Sequence, residues 1–141
     1  MQQLYKTDSH RQRNNGVFIS GRTMHTSIDL AARLATFSQA WQPRTVALFN
    51  GHDVMVAKLR GEYHWHVHPD SDDFFLVLAG QLEIDIQDGA TVSLAPGQLY
   101  VVPKGVRHRP RAQDEAHILL IEPTGTPNSG DPLTAAPRRV I

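Results

Sequence analysis

The chain has 141 residues, in which 14 Lys and Arg balance 14 Asp and Glu, and it contains no cysteine. A length of this order supports one domain burying roughly two thirds of its unfolded surface, and a neutral chain generates no long-range field to recruit nucleic acid or an anionic membrane. The missing thiols exclude disulfides, iron–sulfur ligation and thiol catalysis, and the longest apolar run, 74–79, falls far short of the roughly 20 residues of a membrane span.

Residues 1–23 form a polar extension, with no apolar side chain over 9–16. A loose arm is expected there; the alternative is that Val17, Phe18 and Ile19 add a strand to a neighbouring subunit. The segment has no apolar core of a secretory signal, so a cytoplasmic location is expected by default. From Thr26 the pattern becomes helical: Leu30, Leu34 and Phe37 recur on one face, and Thr26 or Ser27 can cap a short helix by accepting from its first free amides. Strands are then predicted over 44–50, 54–60, 63–68, 73–78, 82–87, 91–94, 99–102, 106–111 and 117–122. Asn50-Gly51 and Asp88-Gly89 are tight-hairpin signals. Many short strands at this spacing indicate an all-β sandwich or barrel, and the lack of an internal repeat indicates one such unit, spanning 24–123. Residues 124–141, with Pro and Gly throughout, are predicted to wrap the surface as irregular chain.

Four side chains carry the chemistry. His66 and His68 lie two apart, so on an extended chain both face the same way. The turn formers over 69–72 bend the chain, and the buried strand that follows starts at Asp73, which returns a carboxylate beside the two imidazoles. Asp72 is the neighbouring candidate, but alternation points it to the opposite face. Turns at Pro96-Gly97 and Pro103-Lys104-Gly105 deliver His108, so two hairpins meeting face to face complete the set. Three imidazoles and a carboxylate suit a divalent transition ion (Zn, Fe, Mn, Ni or Cu) and leave one or two positions of an octahedron open.

His64 lies two before His66, and the same alternation aims it inward, as an alternate ligand, a substrate contact or a proton carrier; otherwise it is a lining polar group bonded to a neighbour or water. Tyr63 and Trp65 are expected on the other face, filling core or a subunit interface. Arg107, Arg109 and Arg111 resemble an anion patch, yet their spacing puts them opposite His108, on a solvated or interface face. His10, His25, His52 and His117 lack ligand spacing and read as surface or packed histidines.

The stretches GEYHWHVHPDSDDFFLVLAG and GQLYVVPKGVRH resemble the two motifs of the cupin superfamily. In the first, Asp73 stands where the motif has Glu, Gly80 closes it, and four residues rather than five separate Gly61 from His66. In the second, Gly97, Pro103, Gly105 and His108 match in register, and Ala112 replaces the final Asn. The region from about Thr36 to Asp131 is similar to small single-domain bacterial cupins described as phosphomannose isomerase-like. The resemblance implies a jelly-roll β-barrel (a double-stranded β-helix) and, because such barrels expose sheet edges, a homodimer. It also implies a metal-binding protein that acts on a small polar metabolite by isomerase- or dioxygenase-like chemistry, with His66, His68, Asp73 and His108 as ligands and His64 as the catalytic candidate. Asp is a methylene shorter than Glu, which makes its ligation a separate question. The alternative is a non-catalytic binding or sensing cupin in which the metal is structural or absent and the histidines are pocket polar groups.

Overall fold

The computed structural model describes residues 25–141 and the backbone of two short strands, β1 (Phe18–Ile19) and β2 (Arg22–Thr23), which pair antiparallel with each other. The polar arm expected over 1–23 is otherwise outside the described residues, as is His10. Helix α1 (Leu30–Leu34) is capped by Asp29, whose carboxylate accepts from the Ala32 amide at 3.1 Å. Thr26 and Ser27, the expected caps, lie too far ahead of the first helical residue to reach its free amides. A single turn of helix has no stability of its own. Tertiary packing holds it: Leu34 is buried with Val46 and Val56, and Ile28, Leu30 and Phe37 close around them.

Seven strands then form one antiparallel sheet: β3 (Arg44–Phe49), β4 (His52–Glu62), β5 (Asp73–Ala79), β6 (Leu82–Ile86), β7 (Thr91–Leu94), β8 (Leu99–Val102) and β9 (His108–Pro123). The β3–β4 hairpin turns at Asn50 and Gly51, with φ of 48° and 75°. Two successive left-handed residues give the turn whose twist matches the flanking strands, and Asn and Gly tolerate it best. The order across the sheet is β3-β4-β9-β5-β8, with β6 pairing both β9 and β7. The long strand β9 is therefore the spine: its first residues pair with β6, and its later ones with β4 and β5. The strands expected over 106–111 and 117–122 are one continuous element. The strand expected over 63–68 is extended chain with a single ladder contact, the bridge between His66 and His108.

The core follows from period-two alternation. Phe75 and Val77 of β5, Leu82 and Ile84 of β6, and Ala112, Ala116, Ile118 and Leu120 of β9 all face inward and pack with Ala57, Leu59, Leu94 and Val102. Each such aliphatic side chain contributes about 1.5–3 kcal/mol by leaving water. Alternation along β9 is interrupted by three exposed residues at 113–115 and resumes on the same parity, so the parity that buries Ile118 also buries His108 at one end and Glu122 near the other.

The irregular tail after β9 is tied to the barrel at several points. Arg138 donates through Nε and Nη2 to the buried Asp53 carboxylate at 2.7 and 3.0 Å. The Ile141 amide donates to the Thr45 carbonyl at 3.0 Å, and Val140 bridges Thr45 at the open edge of β3. Asn128 Nδ2 donates to the Trp41 carbonyl and to Tyr63 Oη at 3.2 and 3.3 Å. Gly130 has a φ of 76°, and a Cβ there would overlap the Val67 carbonyl. Only glycine lets the tail cross this closely over the histidine segment.

Candidate metal centre

Three local devices bring the four side chains together. The antiparallel bridge, with both amide-to-carbonyl bonds at 3.0 Å, locks His66 against His108. The Gly105 amide donates to the His68 carbonyl at 2.8 Å, which fixes the turn before His108 to the segment carrying His68. Asp73 is the first residue of β5 and pairs with Val102. His66, His68, Asp73 and His108 are 7%, 3%, 3% and 1% exposed. Their donor atoms all lie within 4.8 Å of one another. Asp72 faces outward, and its Oδ1 accepts from the Lys104 amide at 2.9 Å. Alternation thus separates the two carboxylates as read from the sequence.

Hydrogen bonding orients two of the rings. His66 Nδ1 lies 3.0 Å from the His64 carbonyl and His108 Nδ1 lies 3.0 Å from the Val106 carbonyl. A carbonyl only accepts, so each of these Nδ1 atoms is placed to donate, which turns the Nε2 of each ring toward the centre, where it can bind an ion or share a proton with Asp73. All three Nε2 atoms converge on Asp73 Oδ2, at 2.9 Å from His108, 3.3 Å from His68 and 3.8 Å from His66. His68 Nε2 and Asp73 Oδ1 are buried without any hydrogen-bond partner. Burial opposes ionisation of Asp73, but His108, His66 and His68 outweigh it and hold the carboxyl well below the usual carboxylate range. Several acceptors aimed at one another in a dry site repel unless a cation or shared protons lie between them. The donor set, the fixed outer nitrogens and the orphaned atoms fit a divalent transition ion.

Beside the cluster is a cavity of about 40 Å³ that Tyr63, His66, Asp73 and Glu122 help to line. Tyr63 was expected on the opposite face. Tyr63 keeps the inward parity of Ala57 and Leu59 in β4, and because regular strand ends at Glu62 that parity does not carry on to His66 and His68. The Tyr63 ring stacks on Trp41 at 4.8 Å and meets His66 edge-on at 5.3 Å. Burial, and then the charge of Asp73, raise its phenol pKa. His64, expected inward, is exposed, with its ring 4.0 Å from that of Tyr63. Trp65 also reaches the surface, under the Arg109 guanidinium.

Glu122 is the residue that sequence reasoning missed. Burial pushes its carboxyl up to about 10, with the Asp73 charge and then Asp53 adding to the effect. The signal was present, since Glu122 shares the parity of Ile118 and Leu120. On the outer face, Arg109 and Arg111 pair with Asp85, Glu62 and Glu83, as expected of a solvated charged face. His25 is exposed, His52 bonds to the Asn50 carbonyl, and His117 pairs with Glu115.

A rolled antiparallel sheet whose inward histidines and carboxylate gather around one point defines a small β-barrel protein of the jelly-roll class. The profile of the cupin domain family (Cupin_2) matches residues 54–122. The chain is 41% identical over 78 residues to the uncharacterized protein YdbB of Bacillus subtilis (strain 168), covering 55% of this chain and 69% of that one. A cupin-2 domain containing protein from Shewanella frigidimarina superposes with a TM-score of 0.66 at 40% identity, over 68% of this chain and 93% of that chain. Hydroquinone 1,2-dioxygenase from Sphingomonas sp. TTNP3, solved with 4-nitrophenol, superposes with a TM-score of 0.63 over 70% of this chain and 32% of that one; at 18% identity it shares the fold alone. The chain belongs to the cupin superfamily, as a small single-domain member. No helix among the described residues is long and apolar enough to cross a membrane.

Proposed function

We propose that this protein is a metal-dependent cupin enzyme in which His66, His68, Asp73 and His108 hold one divalent transition ion. The observation that carries the proposal is the convergence of three Nε2 atoms on one oxygen of a buried carboxylate, with His68 Nε2 and Asp73 Oδ1 left unpartnered. A bound ion of this kind supplies Lewis acidity toward an oxygen-bearing substrate, or dioxygen activation when it is ferrous.

The chain's own residues do the rest. The Nδ1 bonds of His66 and His108 hold two rings in the orientation a ligand needs, and the apolar wall of Phe75 and Val102 excludes water from their inner side. Asp73 lowers the charge of the centre by one unit, and Tyr63 offers a phenol at the cavity wall. His64, at the exposed end of the Tyr63 ring, is placed to meet ligand at the surface rather than beside the ion. Isomerase-like and dioxygenase-like chemistry both begin from such a centre, on a small metabolite presenting an oxygen donor.

Metal analysis of the purified protein, with His66→Ala and His108→Ala alongside, tests the proposal. Wild type is expected to carry close to one ion per chain, with both variants depleted. Full metal content in both variants rejects the ligand assignment. We further propose a homodimer that covers the β8 edge, where Leu99 and Val101 are exposed and, among the described residues, β8 pairs with β5 alone. Light scattering at micromolar concentration is expected to give twice the 15.7 kDa chain mass.

A further inference from the structure

The walls of the cavity beside the cluster narrow the ligand class, given the metal reading above. Its polar groups are the two carboxyls of Asp73 and Glu122, the His66 imidazole, the Tyr63 phenol and the Asn128 amide. The Asn128 amide is already engaged: Nδ2 donates to the Trp41 carbonyl and Tyr63 Oη, and Oδ1 accepts from the Ala136 amide at 2.8 Å. The remaining wall is apolar or aromatic, formed by Trp41, Leu59, Phe75, Ile118 and Leu120. Among the described residues no lysine or arginine lines it. Arg109 and Arg111 are committed to carboxylates on the outer face, and Arg138 to Asp53.

Two consequences follow from charge and size. A phosphate ester bound through a separate oxygen donor would place about two negative charges against apolar wall and beside the ionised Asp73, with no lysine, arginine or fork of donors to receive them. A polyol would bury several hydroxyls against a wall that offers few free partners. The cavity holds about 40 Å³, room for roughly three water molecules, so only the reacting end of a ligand enters it. We propose that the ligand of this site enters with a compact end that carries an oxygen donor, few further polar groups and at most one negative charge, and that phosphate esters are excluded.

The test titrates Co²⁺-loaded and metal-free protein with catechol, phenyl phosphate and mannose, following the visible Co²⁺ bands in the first case and Trp41 fluorescence in a Trp65→Phe background in both. Catechol is expected to saturate at concentrations at least about tenfold below those the other two require. Phenyl phosphate or mannose binding as tightly as catechol overturns the class assignment and leaves the metal reading intact. A protein that takes up no cobalt overturns the metal reading, and Trp41 quenching in the metal-free protein then decides the ligand class by the same ranking.

Discussion

Two aspartates of this barrel are almost equally buried and do opposite things. Asp53 is 4% exposed and Asp73 is 3% exposed. Asp53 accepts from Arg138 through two guanidinium nitrogens, from Thr124 Oγ1 at 3.0 Å and from Thr45 Oγ1 at 3.2 Å. The protein itself supplies its counter-charge and fills its lone pairs. Asp73 Oδ2 faces the Nε2 atoms of three imidazoles instead of a guanidinium, and its Oδ1 has no partner. One carboxylate is completed by its own chain, whereas the other keeps an acceptor unfilled.

Exchanging each carboxylate for its neutral isostere should break the comparison most sharply. Asp73→Asn is expected to weaken metal binding by at least about 100-fold, since even supporting groups around a metal contribute 10- to 100-fold. Asp53→Asn should keep full metal uptake, with a loss of about 1–3 kcal/mol as the Arg138 fork and two hydroxyls lose their charged acceptor. Calorimetric unfolding and metal titration on the same samples check both halves. A comparable fall in metal affinity in both variants would show that the two sites are not separable.

The difference in legibility between these sites has a physical cause. Asp73 was readable because its partners follow from short spacings under a period of two: the His66–His68 pair, the turn formers over 69–72, and a strand beginning at the carboxylate. The same rule rejected Asp72. Asp53 was not readable, because Arg138 lies 85 residues away in chain that carries no periodicity. Tyr63 was misplaced because alternation was counted back from His66, whereas regular strand ends at Glu62 and Tyr63 follows the inward parity of Ala57 and Leu59. Glu122 was overlooked although alternation along β9 places it beside Ile118 and Leu120; its charge suggested solvent, and parity overruled charge.

Acid sharpens the contrast. The Arg138 hydrogen bonds hold the Asp53 carboxyl below the usual carboxylate range against its burial. A group depressed in the folded state contributes its full stabilisation above its unfolded pKa, about 3.9, and loses it as the pH falls through the folded value. The melting temperature should therefore drop more steeply between pH 5 and pH 3 in wild type than in Arg138→Ala, which has already lost the interaction. Parallel curves for the two proteins would mean that the fork does not hold the tail. Because the Arg138 side chain is 43% exposed, solvent screening keeps the difference to about 1 kcal/mol.

The smallest change probes the contact between the two regions. Tyr63 lines the cavity beside Asp73 and receives the Asn128 amide from the tail, so it touches both. Tyr63→Phe removes a single bond of 3.3 Å, while Asn128 keeps its bonds to the Trp41 carbonyl and the Ala136 amide. A loss of about 0.5–1 kcal/mol in stability is expected, with metal affinity unchanged, because the stacked ring stays against Trp41 and the Nδ1 bonds of His66 and His108 do not pass through the hydroxyl. If metal affinity moves as well, the tail and the centre are coupled through this phenol, and the tail that crosses Val67 at Gly130 takes part in holding His66 and His68 in place.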